Sequence, residues 1–169
     1  LRFSTRAALR RAARVDDDDA RPALCLVLST LHTNDTATSV GRLLDLDVLP
    51  FLISSTLVGV VAQRLLRTIC PHCKMETVLT HDQVLSLNIQ GAEGRDLKVC
   101  YGAGCGKCRG TGFMGRTGIF EVMPINDRIR ELIIQKASAE EIKREAIAEG
   151  MITLRDYAIK KMAMGLTTY

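Results

Sequence analysis

The chain has 169 residues, 47% of them hydrophobic and 25% charged, with 13 Gly, 4 Pro and a formal charge of +4. This is globular composition for one domain or two small ones, and it excludes disorder, collagen and coiled coil as whole-chain descriptions. Aromatics are scarce, 4% with no Trp, which argues against a base-stacking platform, and six Cys are too few for a disulfide-dense miniprotein.

Residues 1–25 form a biased Arg/Ala/Asp segment. Arg2, Arg6, Arg10 and Arg14 recur every fourth residue, so a helix aligns them on one solvated face. Asp16 to Asp19 follows no apolar strand and reads as a solvated run. The rest of the charge is spread along the chain. No secretory signal is legible, because the Arg-rich start lacks an apolar stretch and a cleavage site. Residues 26–69 open with a strand candidate, Leu26-Val27-Leu28, beside Cys25, which reads as a buried apolar residue. A polar turn follows, Ser29 to Asp35, in which Asn34 or Asp35 suits a helix cap. Val40, Leu43 and Leu44 then share one helical face, and Pro50 ends that helix. A second helix is expected from Phe51 to about Ile69. The apolar run Val48 to Ala62 is too short to span a membrane and carries Ser54, Ser55 and Thr56, so it reads as a buried helix. The expectation is a soluble, cytoplasmic chain. Residues 70–118 are Cys- and Gly-rich loop and hairpin. Residues 119–169 return to helix after a strand at Ile119 to Val122. One helix starts near Asp127 with Ile129, Leu132 and Ile133 inward. A second starts at the capping box Ser138-Ala-Glu-Glu141 and stops at Gly150, and a third opens at Leu154 with Ala158 and Met162 on one side.

Cys70-Pro-His-Cys73 and Cys105-Gly-Lys-Cys108 are two C-x-x-C pairs 31 residues apart. Each short turn presents two sulfurs to one ion, so the four suit a closed tetrahedral zinc site with no open position, hence structural rather than catalytic. In the cytoplasm paired Cys are more often metal ligands than disulfides. A thioredoxin-like redox pair needs a helix start in a βαβ setting, and neither pair has one. His72 is a substitute ligand in principle, but its knuckle already has two Cys. Cys100 fits neither pair. The segment Cys105 to Gly112 spells the C-x-x-C-x-G-x-G of chaperone zinc domains, which repeat it four times; here it occurs once.

The polar turn reads as a helix cap or as a phosphate-sensing loop with His32 and hydroxyls toward a nucleotide. Leu28-Ser-Thr-Leu-His32-Thr-Asn-Asp35 resembles the His box of the secretion ATPase superfamily. The likeness continues in order through Gly41 to Asp45, Leu49-Pro-Phe51, Ala62-Gln-Arg-Leu65, the two Cys pairs, Gly115-Arg-Thr-Gly-Ile-Phe-Glu121 and Gly150 to Leu154. Over residues 26–169 the chain resembles the C-terminal part of the hexameric ATPases of type II secretion and type IV pilus extension. The zinc pairs argue against pilus-retraction relatives, and between the other two, type II secretion is the first choice.

The resemblance implies an α/β fold: part of a RecA-like P-loop ATPase layer over 26–69 with the His box, a four-Cys zinc module over 70–118, and a small helical C-terminal subdomain over 119–169. It implies that His32 approaches the γ-phosphate in the catalytic site. Thr30, His32, Gln63 and Arg64 would face nucleotide or a neighbouring subunit, and Cys70, Cys73, Cys105 and Cys108 would hold zinc. ATP and Mg²⁺ are the cofactors of the complete protein. Like subunits of a hexameric ring and an inner-membrane platform are the implied partners, with no nucleic acid and a cytoplasmic location peripheral to the membrane. The departures are a missing G-x-x-x-x-G-K-[ST], a missing acidic strand that would hold Mg²⁺, and Leu24-Cys25 near the place of an earlier His. A fragment, a deletion or an altered reading frame each explains them, and the chain alone is expected not to hydrolyse ATP. The alternative is a zinc-stabilised interaction module without nucleotide chemistry. A nucleic-acid-binding zinc ribbon is disfavoured by the diffuse charge.

Overall fold

The computed structural model describes residues 26–87 and 97–169. The N-terminal Arg series, Asp16 to Asp19 and Cys25 lie outside them. In chain order the elements are α1 (Thr36–Asp45), α2 (Pro50–Thr56), β1 (Gly59–Ile69), β2 (Lys74–Val78), α3 (His81–Leu87), β3 (Lys98–Gly102), β4 (Phe113–Pro124), α4 (Asp127–Ile134), α5 (Ala139–Ala148) and α6 (Leu154–Ala163). Two two-stranded sheets pair β1 with β4 and β2 with β3. In the second, antiparallel sheet Lys74 faces Gly102 and Val78 faces Lys98. The described residues divide into two compact units, one of residues 26–62 and 121–153, the other of 63–87, 97–120 and 154–169. Strands β1 and β4 each run from one unit into the other.

The first unit is helical. Asp35 caps α1: its Oδ1 accepts the Thr38 N–H at 2.9 Å, and the Thr38 hydroxyl accepts the Asp35 N–H at 3.3 Å. Val40 and Leu43, three positions apart, face a core with Ile53 of α2, Met123 of β4, Ile129 and Ile133 of α4, and Ile142 of α5. Pro50 opens α2, where its missing N–H is one the first turn leaves unbonded anyway. Asn126 caps α4 through the Ile129 N–H at 2.9 Å, and Ser138 and Glu141 cap α5 reciprocally at 3.2 and 2.8 Å. The chain leaves α5 through Gly150, whose φ of +98° is left-handed.

Three sequence expectations are corrected. Leu26-Val27-Leu28 is not a strand; Leu28 is 87% exposed, and no described strand pairs with it. Phe51 to Ile69 is not one helix, so Val48 to Ala62 is not a buried helix either. Helix α2 stops at Thr56, where the hydroxyls of Ser54 and Thr56 bond back to the Phe51 and Leu52 carbonyls at 2.9 and 2.6 Å. The following Val58-Gly59-Val60-Val61 is β-branched and enters β1, with Val61 62% exposed. The strand at Ile119 is longer than expected and begins at Phe113, with Pro124 tolerated at its end.

The second unit packs Leu79, Val84, Val99 and Met162 together. Helix α3 was not foreseen within the loop-rich stretch, although Thr80 and Gln83 form a capping pair at its start, at 3.0 and 3.4 Å. The C-terminal residues return to this unit. The Ile69 N–H donates to the Leu166 carbonyl at 2.9 Å, and the Thr167 hydroxyl to the Arg67 carbonyl at 2.9 Å. Charge is not diffuse once divided this way. Among described residues this unit has ten Lys and Arg against three Asp and Glu, while the helical unit has six against ten.

Candidate metal centre

The four sulfurs predicted from sequence converge. The Sγ atoms of Cys70, Cys73, Cys105 and Cys108 all lie within 4.8 Å of one another. Cys70 and Cys105 are 3.9 Å apart, Cys73 and Cys108 3.8 Å, and Cys105 and Cys108 3.7 Å. A zinc–sulfur bond of about 2.3 Å in a regular tetrahedron places its sulfurs about 3.8 Å apart. The spacing therefore fits a divalent ion with four thiolates, and it is far from the about 2.05 Å of a disulfide. Cys100 and His72 are not in the group. Cys100 lies in β3 opposite Glu76, and His72 is solvent-exposed.

The backbone builds this convergence from both sides. The first knuckle follows β1 directly, and its Cys70 N–H donates to the Gly112 carbonyl at 2.9 Å. The second is closed by Gly110 N–H to the Cys105 carbonyl at 2.9 Å. The two are joined by Ala103 N–H to the Cys73 carbonyl at 2.9 Å. Close packing at Gly102 and Gly112 makes this possible. A Cβ on Gly102 would stand 1.9 Å from the Gly112 carbonyl oxygen, and Gly112 has a φ of +74°. Their glycine identity is required by approach as well as conformation.

The electrostatics favour thiolates unevenly. Burial opposes ionisation of Cys108, but the N–H groups of Cys105 and Gly112, at 3.1 and 3.3 Å from its sulfur, outweigh it and lower the thiol to about 6. Burial pushes Cys73 up to about 12, and neighbouring sulfurs add to the rise. The ligand-bearing stretches 63–73 and 97–120 contain no Asp or Glu to repel a thiolate, and carry Arg64, Arg67, Lys98, Lys107, Arg109 and Arg116. All four sulfurs have protein neighbours in a closed group, which suits a structural ion.

The nucleotide candidates are placed differently. Thr30 and His32 lie, both exposed, in the non-regular stretch before α1 of the helical unit. Gln63 and Arg64 are exposed in β1 of the metal-binding unit. A cavity of about 160 Å³ in the helical unit is lined by Val122, Pro124, Asn126, Ala146, Glu149, Gly150 and Met151, and holds none of them. It is smaller than the about 300 Å³ at which ligand pockets begin. Sequence reasoning named Glu121 as a strand residue and as part of the family-like segment Gly115 to Glu121, and gave it no role in a site. It is 1% exposed, and its Oε1 accepts the Thr36 hydroxyl at 2.6 Å and the Thr36 N–H at 3.0 Å. The available signal was an acid inside the apolar run Ile119 to Val122.

A mixed helix-and-strand chain with a four-cysteine cluster of metal-binding geometry is the class this fold and site define. Residues 24–169 match the family described as Type II/IV secretion system protein, and the chain belongs to that family. It is 43% identical over 143 residues to the type IV pilus assembly ATPase PilB of Thermus thermophilus, covering 85% of this chain and 16% of that protein. It is 43% identical over 144 residues to the type IV pilus assembly ATPase TfpB of Acinetobacter baylyi, covering 85% and 24%. It is 40% identical over 143 residues to the type II secretion system protein E of Pseudomonas aeruginosa, covering 85% and 28%. The chain thus spans little more than a quarter, at most, of these relatives. No helix of the described residues is long and apolar enough to cross a membrane.

Proposed function

We propose that these residues are the C-terminal portion of an ATPase that couples ATP binding and hydrolysis to protein export through a type II secretion system or to pilus assembly. The observation that carries this reading is the four-sulfur cluster, within a stretch matching relatives named for both systems. In this reading residues 26–69 belong to a RecA-like layer, 70–118 are a zinc module and 119–169 a helical subdomain. Zinc, held by Cys70, Cys73, Cys105 and Cys108, supplies cross-linking of two distant knuckles and no chemistry of turnover. His32 senses the γ-phosphate of ATP bound with Mg²⁺. Thr30, Gln63 and Arg64 face nucleotide or a neighbouring subunit, where an Arg fork grips phosphate or carboxylate. Like subunits form a hexameric ring on the cytoplasmic side of the inner membrane, held there by platform proteins.

The 169 residues contain no phosphate-cradling G-x-x-x-x-G-K-[ST], so we expect them not to hydrolyse ATP by themselves. Mg²⁺-dependent phosphate release by the purified chain tests this, and turnover in a preparation free of contaminating ATPases would overturn it. The second reading, a zinc-stabilised interaction module without nucleotide chemistry, is favoured by one observation: the metal-binding unit has its own apolar cluster. Protection of His32 by nucleotide, in the chain alone or mixed with intact subunits, separates the two. The module reading expects none.

A further inference from the structure

Glu121 is a fully buried acid that nothing in the reading above uses. Its carboxylate receives both donors of Thr36, the first residue of α1. That N–H is one of four that a helix start leaves unbonded, at the positive end of the helix dipole. The residue before it, Asp35, takes the Thr38 N–H and is bonded through Oδ2 to Lys143 of α5 at 2.8 Å. The Ser39 hydroxyl donates to the Asp35 carbonyl at 3.0 Å and lies 2.7 Å from the Thr33 hydroxyl. The backbone is therefore bonded at residues 35 and 36, and the side chain at Thr33, immediately after His32.

A core-filling role does not account for an acid here. An apolar side chain of similar volume would fill the same space without the cost of burying a carboxylate. What a carboxylate adds is direction: it fixes one atom of β4 against one residue of α1, 85 positions apart in sequence. We infer that Glu121 is the positioning residue of the His32 turn, holding the start of α1 through Thr36 so that the imidazole four residues earlier is presented at one place on the surface of the helical unit. The functional weight of this inference rests on the reading of His32 as a nucleotide sensor; the positioning itself does not.

The test is site-resolved amide exchange and His32 ring resonances in the zinc-loaded 169-residue chain. Glu121→Gln keeps the shape and removes the charge, Thr36→Val removes the hydroxyl donor, and Thr36→Ser keeps it. In the first two, amides 36–40 should exchange about tenfold faster or more, as expected for loss of a charged hydrogen bond, with α4 and α5 changed by less than about threefold. The His32 resonances should shift in both and return to wild type in Thr36→Ser. Uniform acceleration of α1, α4 and α5, or unchanged His32 resonances, would overturn the inference, because either means that Glu121 serves only general stability. A non-hydrolysable ATP analogue with Mg²⁺ is added in a separate arm. If it leaves His32 unmoved both in the wild-type chain alone and on mixing with intact subunits, the sensor reading fails, while the exchange result still decides the role of Glu121.

Discussion

At Cys108 two backbone N–H groups meet one sulfur, whereas His72 is solvent-exposed and outside the four-sulfur group, which points to the four thiolates as the whole ligand set. Cys105→Ser should therefore lose zinc, whereas His72→Ala should keep one zinc per chain; metal analysis of the purified proteins checks both. A second pair of residues sets a pH window. Burial opposes ionisation of Asp35, but its bonds to Lys143 and Thr38 prevail and hold the carboxyl below its ordinary 3.8. The folded chain thus binds this proton less readily than the unfolded one. The pair's stabilisation is full above about pH 4 and is lost as pH falls through the depressed value. Lys143, held above its ordinary 10.5 chiefly by the bond to Asp35, gives the opposite limb: full below about pH 10.5 and lost as pH rises through the raised value. Lys143→Met should flatten the contribution of this pair at both ends, seen as a smaller difference in melting temperature between pH 7 and pH 3 than in the wild-type chain.

The knuckles work as elements because two glycines let β3 and the start of β4 touch. Gly102→Ala puts a methyl 1.9 Å from the Gly112 oxygen, and that same carbonyl accepts the Cys70 N–H, so relief must pull on a ligand. The expected cost is about 1–3 kcal/mol or more, with weaker zinc binding in a competition titration. Gly106→Ala, where a Cβ meets nothing within 4 Å, is the control and should bind zinc as the wild-type chain does. The same elements explain what was legible in the sequence. The capping box at Ser138, the stop at Gly150 and the two C-x-x-C pairs are local signals, each contained within four or five residues, and the structure places them as read. Strand β1 was not legible because Val58 to Leu66 carries apolar residues that serve either period. Its partner, β4, lies more than forty residues on, and pairing rather than propensity decides the form. Leu26 to Leu28 failed for the converse reason, having strand-like residues but no described strand beside them. Glu121 was hidden because an acid in a strand normally marks the wet face; its partner at Thr36 is 85 positions away.

For the whole molecule, the division into a helical unit and a metal-binding unit predicts a two-part response to a strong chelator. A four-thiolate zinc site supplies about 10–16 kcal/mol of apparent binding energy in small finger peptides, comparable to the about 5–15 kcal/mol net stability of an ordinary domain. The metal-binding unit's packed cluster is small, Leu79, Val84, Val99 and Met162 with a few partly buried neighbours. The helical unit has a larger one from α1, α2, α4, α5 and β4. Chelation should therefore release amide protection in residues 63–87, 97–120 and 154–169, while Ile129, Ile133 and Ile142 stay protected. Equal loss in both units, or none in either, would contradict this division.

The two units are interleaved along the chain, and this gives them an order of completion during synthesis. The ribosome makes residues 26–62 before residues 63–120, but the helical unit waits for β4, α4 and α5. The metal-binding unit has all four sulfurs once Cys108 emerges, yet Met162, which closes its apolar cluster, follows 54 residues later. At about 5–20 residues per second that interval is about 3–11 s. Throughout it the nascent chain carries a finished set of metal ligands without the apolar cluster that later completes their unit. Zinc delivered in that interval meets a unit not yet packed, so the ion can act as the first long-range contact of the fold rather than its last.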